Sequence, residues 1–312
     1  MNAYTRISLA TVLACVTIPL VGCDEPRIPS AASTAASSAA TSTNAADTYR
    51  KVHASFGKSM LAALDSEKNV DAQLVAHAAD IDALLTAAAL PECDFQVDYS
   101  ASLAMELPHV TSMRSLSRAL KADATRLLAT GDRDGAARRV AAMMRMGDQL
   151  GRSSRVIIEM LVASAIANSG AQFVIENPSL AQAAWKSDIQ QAIAKLVQNE
   201  AFASGLVAQR DLMFTATSLR DGTALDLSSL GGRDWSTAST ADREAAAREI
   251  ESVANDLPAA WGARDSIARL KALTARSKNA LAGELMPRLD SVRKGMDMFL
   301  AAVSKANETL SQ

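Results

Sequence analysis

Residues 108–150 read PHVTSMRSLSRALKADATRLLATGDRDGAARRVAAMMRMGDQL, and they decide the fold. Apolar side chains recur at spacings of three and four on both sides of a central Gly131-Asp132 pair, as on one face of an α-helix. These side chains are Val110, Met113, Leu116, Leu120, Ala124 and Leu127 before the pair, and Ala136, Val140, Met143, Met144 and Leu150 after it. Pro108 suits the first position of a helix, where no backbone N–H is needed. The stretch therefore predicts two amphipathic helices joined by a tight turn.

The same period extends along most of the chain beyond residue 45. Hydrophobic residues make up 49% of the 312 residues, but aromatic residues only 4%. The β-branched and aromatic residues that strands favour are therefore sparse. We predict an all-α protein of antiparallel helical hairpins, arranged as an irregular α-bundle or a short α-solenoid, after a signal peptide and a disordered linker.

Two helices are expected before residue 108. The first covers about residues 45–65, and the second runs from Asn69, as its cap, to Pro91. Between Pro91 and Pro108, the residues 94–106 are the least regular part of the chain. Apolar and polar residues alternate at their start, which indicates a short extended segment.

The second half of the chain predicts further helices. Residues 156–176 are apolar on nearly every side, which is typical of a central, buried helix. A long helical pattern follows over residues 187–214. Pro258 is expected to divide one helix from the next, because proline disrupts a helix interior. A last helix is expected after Pro287.

The start of the chain has the pattern of an export signal. Arg6 precedes an apolar run over residues 7–21. At about 15 residues the run is short for a bilayer span, which needs about 20. The run closes on Leu20-Val21-Gly22-Cys23, which resembles the lipobox of bacterial lipoproteins. An ordinary signal peptide and a retained signal anchor are the alternatives.

The lipobox resemblance implies a lipid anchor on Cys23. Its thiol would carry a diacylglyceryl group, and two or three acyl chains give stable anchoring. Asp24 resembles the inner-membrane retention signal of enterobacterial lipoproteins, which favours that membrane. We therefore expect a bacterial cell-envelope protein that is anchored by lipid and faces the periplasm, with the membrane as one partner.

Composition divides the chain into three parts. Residues 1–22 are the predicted lipoprotein signal peptide. Residues 23–47 contain the lipidated cysteine and a stretch rich in Ala, Ser and Thr, which lacks the apolar surface needed to offset its ordering entropy. We predict a disordered linker there. Residues 48–312 form the helical domain, with a possible subdomain boundary at the glycine-containing stretch 221–238.

Two further resemblances concern the helical domain. The Gly131-Asp132 turn, followed by Ala136, Val140 and Met143, resembles the turn and second helix of a tetratricopeptide repeat. A generic helical hairpin explains the same pattern. Residues 107–202 resemble, more broadly, a diffuse family of uncharacterised helical envelope proteins from environmental bacteria. That resemblance implies a helical fold and no particular activity.

The charge balance argues against nucleic acid as a partner. The chain has 34 acidic and 32 basic residues, so it lacks the basic surplus typical of nucleic-acid binding. Basic residues do cluster on the two helices of residues 108–150. They form either a solvated face with ion pairs or a contact surface for anionic headgroups beside the anchor. The candidates for such contacts are Arg114, Arg118, Lys121, Arg138 and Arg145.

Several catalytic motifs are present only as fragments. Ser55-x-x-Lys58 and Ser277-x-Asn279 match two motifs of penicillin-binding proteins, but the Lys-Thr-Gly strand is missing. Gly57-Lys58-Ser59 ends like a P-loop, but Val52 stands where the first glycine is required. Glu106-x-x-His109 occurs once, whereas di-iron bundles need the motif twice. We therefore predict no catalytic residue and no cofactor.

His77 and Cys93 are the other chemically notable side chains. His77 with Asp80 at i+3 could hold one metal ion, but a solvated pair explains the spacing equally, and we predict no metal site. Cys93 lies between Glu92 and Asp94, whose charges disfavour the thiolate. We expect a buried or spectator thiol, with pairing across a dimer as the alternative.

These patterns favour a function in binding over one in catalysis. The anchor, the linker and the helical hairpins indicate a membrane-anchored helical scaffold that binds a protein or peptide partner. The alternative is a helical enzyme or small-ligand-binding domain whose site the sequence does not reveal. A deep pocket lined by convergent carboxylates or histidines would favour that alternative.

Overall fold

The helices of this protein follow one another with short connections. The computed structural model describes residues 43–99, 107–222 and 237–312. Within these ranges the strand-type pairing is limited to one isolated bridge between Asn44 and Glu92. The prediction of an all-α fold is confirmed. The signal peptide, the lipobox and the linker up to residue 42 lie outside the described residues.

The first six helices include the stretch that decides the fold. They are α1 (Ala45–Ser66), α2 (Val70–Ala76), α3 (Ala78–Ala88), α4 (Pro108–Ala129), α5 (Arg133–Ser153) and α6 (Ile157–Glu176). The predicted turn between α4 and α5 is confirmed, because Gly131 adopts a positive φ of 85° and Asp132 accepts a hydrogen bond of 2.7 Å from the N–H of Gly135. The apolar stripes on both sides of this turn are buried.

The remaining helices follow a short 3₁₀ segment at Pro178–Gln182. They are α7 (Lys186–Gln198), α8 (Glu200–Ala203), α9 (Leu206–Asp221), α10 (Thr240–Trp261), α11 (Ser266–Thr274), α12 (Ala280–Leu285) and α13 (Leu289–Ser311). The proposed subdomain boundary at 221–238 falls largely outside the described residues. On either side of it, α9 and α10 pack against each other, and their buried residues belong to one core.

The α6 helix is the centre of the fold, as predicted. None of its residues before Glu176 is exposed, and it packs most extensively against α5. A Cβ atom on Gly147 of α5 would lie 2.8 Å from the carbonyl oxygen of Ala163, so the glycine allows the two backbones to approach closely. By length and composition α6 could also cross a membrane, but most of it is buried in the protein, as in an ordinary core helix.

The predicted second helix is broken at His77. There α2 and α3 meet at a residue whose φ of −104° and ψ of 24° are not helical. Its Nδ1 lies 2.8 Å from Asp80, and its ring packs edge-on against Phe56 of α1. Asn69 precedes α2 but has a left-handed backbone (φ 56°) and makes no side-chain capping bond. Contacts with α1 stabilise the break, and a local pattern does not reveal them.

The predicted long helix over residues 187–214 is wrong, because the chain turns twice within it. Asn199 caps α8 and donates a hydrogen bond of 2.9 Å to Asp148 of α5. Gly205 adopts a φ of 69°, and a Cβ atom there would lie 2.6 Å from the ring of Trp261. Each turn therefore depends on a contact with a distant helix.

Three smaller differences complete the comparison with the predictions. Pro258 does not divide two helices but lies in the last turn of α10, where the burial of Trp261 offsets the lost backbone hydrogen bond. Residues 95–99, predicted to be extended, depart from that conformation at Gln96, whose φ of 52° is left-handed. The linker was expected to reach Asp47, but Asn44 caps α1, which already begins at Ala45.

Candidate ligand-binding cleft

A polar cleft lies where α5 ends and α6 begins. Its volume is about 720 Å³, within the range of sites for small molecules. Residues 152–155 form one side and the irregular segment 94–99 the other, while His109 and Arg210 lie at the starts of α4 and α9. The cleft thus collects residues from four parts of the chain.

Glu159 is the buried centre of this site. Its side chain accepts hydrogen bonds from the N–H groups of Arg155 (2.7 Å) and Val156 (3.3 Å) at Oε2. At Oε1 it accepts from the hydroxyl of Tyr99 (2.8 Å) and from Nε2 of His109 (3.0 Å). Glu159 is the third residue of α6, so a carboxylate there also satisfies unpaired N–H groups at the start of the helix.

These hydrogen bonds keep the buried carboxylate charged. Burial by itself would raise the pKa of Glu159, but the bonds from His109, the Arg155 N–H and Tyr99 outweigh it, and the pKa lies below its usual value. The hydrogen bond between Tyr99 and Glu159 has the opposite effect on the pKa of Tyr99. Burial, and then the hydrogen bond to Glu159, raise the pKa of the Tyr99 hydroxyl, which stays protonated as a donor.

His109 is fixed by two contacts and leaves one ring nitrogen unused. A carboxylate oxygen only accepts, so Nε2 carries the proton that faces Glu159. The ring stacks on Phe95 with a centroid distance of 4.6 Å. His109 is only 6% exposed, and its Nδ1 is buried without a hydrogen-bond partner in the described structure. Such a group costs free energy until a partner reaches it.

Three arginines and two carboxylates line the cleft. Arg152 pairs with Asp148 at 2.8 Å, and the guanidinium of Arg155 lies 5.5 Å from the ring centre of Tyr99. Arg155 and Arg210 form no ion pair within the described ranges. The carboxylates that line the cleft are those of Asp94 and the fully hydrogen-bonded Glu159. The arrangement therefore suits an anionic ligand.

The wall formed by residues 94–99 is attached to α1. Asn44 donates to the carbonyl of Asp94 and accepts from its N–H, both at 2.8 Å. Arg50 donates to the carbonyl of Phe95 and lies over its ring. Asp94 also accepts from the N–H of Gln96, whose φ of 52° is left-handed. These contacts hold Phe95 against His109 in the absence of regular secondary structure.

Asp211 on α9 adjoins the charged centre. Burial raises its pKa to about 6; a hydrogen bond from the Ile157 N–H opposes the shift, and the charge of Glu159 adds to it. This carboxylate therefore changes its charge close to neutral pH, next to the first turn of α6.

A second cavity of about 230 Å³ lies on the other side of Arg152. Gln149 lines it and donates hydrogen bonds to the carbonyls of Ala87 (3.1 Å) and Leu90 (2.7 Å). Lys195 and Arg145 contribute charge at its edge.

Most of the basic residues proposed to contact anionic headgroups have partners within the protein. Arg118 pairs with Asp65 at 2.6 Å, and Arg145 pairs with Asp188 at 3.1 Å. Arg138 lies 5.5 Å from the ring centre of Trp185. Arg114 is exposed and Lys121 half-buried. None of the five lines the large cleft, and their contact with a membrane stays a prediction. Cys23, the proposed lipidation site, lies outside the described residues.

The motif fragments do not converge into a site. Ser55 donates to Asp80 and Ser277 to Glu249, so their hydroxyls are occupied by carboxylates on separate helices. Glu106 lies outside the described residues. Among those that are described, no group of three or more His, Cys, Asp or Glu side chains is placed to hold a metal ion.

Cys93 is a buried free thiol. Burial, more than the neighbouring charge, raises its pKa to about 12; Arg152 and Arg50 oppose the shift, and Asp94 adds to it. The expected low reactivity therefore has burial as its main cause, whereas the sequence indicated the adjacent carboxylates.

The sequence did not identify five residues of the cleft as site residues: Tyr99, Arg152, Arg155, Glu159 and Arg210. Tyr99 and His109 lie 60 and 50 residues before Glu159, so no short motif connects them. Comparison with models of protein families, with curated proteins and with solved structures finds no significant match for the chain.

Proposed function

We propose that this protein is a lipid-anchored envelope domain that binds a small anionic molecule in the cleft between α5 and α6. The convergence of Arg152, Arg155 and Arg210 on one polar cavity carries the proposal. The buried Glu159–His109 pair at its base adds a fixed, polar floor. A carboxylate and a histidine that converge on a cavity support a ligand site over a protein-binding surface.

Charge supports an anion as the ligand. Arg155 and Arg210 have no carboxylate partner in the described structure, and Arg152 shares its charge with Asp148 alone. Guanidinium groups bind carboxylates and phosphates through two parallel hydrogen bonds. An anion would therefore satisfy donors that the fold leaves to solvent.

The lipobox is the basis for the proposed location of this domain. Acylation of Cys23 would hold the domain on the periplasmic side of the membrane, and the length of the linker would limit the distance of the cleft from the membrane surface. The ligand would then be a solute of the envelope.

Calorimetric titration of the domain tests the proposal with probes of defined charge. We expect glucose 6-phosphate or glucuronate to bind and uncharged methyl glucoside to bind at least about tenfold more weakly. The double variant Arg155→Gln/Arg210→Gln should lose about ten- to hundredfold in affinity for the anion, because two charge-assisted contacts are removed. The variant Arg248→Gln, which changes an exposed arginine on α10, is the matched control.

Two results would contradict the proposal. One is binding of the uncharged probe as tight as that of the anions. The other is an unchanged anion affinity in the double variant, which would locate the binding outside this cleft.

The protein-binding scaffold that the sequence favoured stays a prediction. The large hydrophobic side chains most exposed in the described structure lie on five different segments: Val75, Trp185, Val197, Met213 and Met298. Crosslinking in membranes followed by capture of the protein would test for a partner directly.

A further inference from the structure

We propose that the cleft selects anions that also carry hydroxyl groups, such as sugar phosphates and sugar acids, through a hydrogen bond from a ligand hydroxyl to Nδ1 of His109. The inference rests on the proposed function, since it concerns the ligand of the same cleft. In this proposal His109 recognises a hydroxyl group of the ligand, whereas the arginines recognise its negative charge.

The tautomer of His109 follows from its partner. Oε1 of Glu159 accepts hydrogen bonds from both Tyr99 and His109, so the proton between ring and carboxylate belongs to Nε2. In a neutral ring, Nδ1 then presents a lone pair and accepts. A ligand group that faces it must therefore be a donor.

The proposal concerns the neutral ring, in which Nε2 carries the proton and Nδ1 does not. Glu159 receives two backbone N–H groups and the Tyr99 hydroxyl besides the His109 ring. An imidazolium would leave a buried, charged N–H without an acceptor among the described atoms, which costs more than an unpaired lone pair.

The ring cannot turn away to satisfy Nδ1 elsewhere. Its faces are restricted by the stack on Phe95, and a flip of the ring would break the bond between Nε2 and Glu159. Nδ1 has no partner among the described atoms, in a residue that lines the cleft, and neighbouring atoms cover it almost completely. A donor from the cavity therefore reaches it when a ligand displaces the atoms that cover it.

A ligand with charge alone would leave this nitrogen unpaired. A phosphate monoester dianion or a carboxylate without hydroxyl groups satisfies the arginines but brings no donor to Nδ1. A hydroxylated ring that bears the same anionic group can satisfy both. The difference between the two kinds of ligand is one buried hydrogen bond, which corresponds to about tenfold in affinity.

Matched pairs of probes test the inference in calorimetric titrations. Glucose 6-phosphate is compared with cyclohexylmethyl phosphate, and glucuronate with cyclohexanecarboxylate; the two pairs separate a phosphate from a carboxylate ligand. We expect the hydroxylated member of at least one pair to bind about tenfold more tightly. His109→Gln should weaken this preference, because the amide nitrogen can still donate to Glu159 while the acceptor is no longer held at the position of Nδ1.

The control variant is His53→Gln, which changes a half-buried histidine on α1 outside the cleft. It should keep the preference for hydroxylated anions. If both members of each pair bind equally and the Arg155→Gln/Arg210→Gln variant weakens both, the proposed function holds and the inference on His109 is wrong. If none of the four anions binds, both are wrong.

Nitrogen-15 NMR of the side chains provides a measurement that does not require a substitution of His109. The sequence has three histidines, so the His53→Gln and His77→Gln variants assign the signals. In the free protein we expect His109 to show a protonated Nε2 and an unprotonated Nδ1, and the Nδ1 signal to shift when glucose 6-phosphate or glucuronate binds. A protonated Nδ1 in the free protein would overturn the inference.

Discussion

The hydroxyl of Tyr49 donates a buried hydrogen bond of 2.6 Å to Oε1 of Gln149, which lies 100 residues further along the chain. The amide of Gln149 in turn donates to carbonyls at the end of α3, including that of Leu90 at 2.7 Å. One side chain of α5 therefore connects α1 to the C-terminal end of α3. Burial raises the pKa of Tyr49 well above its usual value, so the hydroxyl keeps its proton.

Tyr49→Phe should destabilise the protein by about 1–2 kcal/mol, because it leaves Oε1 of Gln149 buried without a donor. Urea unfolding followed by circular dichroism measures the change. Thr309→Ala is the control, since its exposed hydroxyl bonds only to its own helix, at Lys305. Equal effects of the two variants would show that the buried bond contributes no more than an exposed one.

Glu159→Gln should lower the free energy of unfolding by about 2–4 kcal/mol. The wild-type carboxylate accepts hydrogen bonds at both of its oxygens. The glutamine amide keeps one acceptor oxygen, and its NH₂ group would face donors in place of the other. Chemical unfolding at pH 7 measures the loss. Glu308→Gln, an exposed change on α13, should stay within about 0.5 kcal/mol of the wild type. A similarly small effect at Glu159 would contradict the role of this carboxylate.

Asp211→Asn should stabilise the protein above pH 6. The pKa of Asp211 is raised to about 6 by burial and lies above that of the unfolded chain. The native state therefore binds this proton more tightly, and its contribution to stability is lost as the pH rises from about 4 through 6. The asparagine is neutral throughout and can still accept from Ile157. We expect a gain of up to about 2–3 kcal/mol at pH 7.5 that vanishes below pH 4.

Urea unfolding of the wild type and the variant between pH 3.5 and 8 gives this difference directly. Groups that titrate without contact to Asp211 act on both proteins and cancel. A gain that does not change with pH would show that Asp211 titrates normally.

Gly205→Ala should destabilise the protein by about 2–4 kcal/mol. Its φ of 69° disfavours any side chain, and the added Cβ would lie 2.6 Å from the ring of Trp261. Gly283→Ala is the matched control, because Gly283 lies within α12 with open space around its Cα. At Gly283 the higher helix propensity of alanine should raise the free energy of unfolding by about 0.5–1 kcal/mol. Thermal unfolding distinguishes the opposite signs.

Cys23→Ser should prevent acylation of the precursor, because the thiol is the proposed site of the thioether. Incorporation of radiolabelled palmitate in a host with lipoprotein-processing enzymes is the measurement. Fractionation alone would not decide, since an uncleaved signal segment can hold the precursor in the membrane. Equal labelling of the serine variant, or no labelling of the wild type, would refute the lipid anchor.

The helices were predictable because burial repeats locally with the helical period. Val110, Met113 and Leu116 are spaced by three, so they lie on the same face of α4, and this is the face that is buried. The breaks between helices were not predictable, because they depend on contacts between residues that are distant in the sequence. Gly205 turns beneath Trp261, and His77 packs on Phe56 of a different helix.

The cleft was even less predictable from the sequence than the breaks between the helices. In the sequence, His109 belonged only to the single Glu106-x-x-His109 fragment, from which no site was predicted, whereas its partner in the fold is Glu159. The one local signal was Glu159 itself, placed where the first turn of α6 needs an acceptor. Its link to Tyr99 depends on how α1 holds the irregular segment 94–99, which carries no periodic pattern.

That attachment also determines how the protein responds to mechanical load. Asn44 is at the upstream end of the described fold, and the bonds it makes to Asp94, together with that from the Ala45 N–H to the Glu92 carbonyl (2.8 Å), join it to the segment that walls the cleft. Tension applied to the chain ahead of residue 43 therefore acts on these hydrogen bonds as well as on the buried start of α1. The geometry around His109 is thus mechanically coupled to the point at which the chain enters the fold.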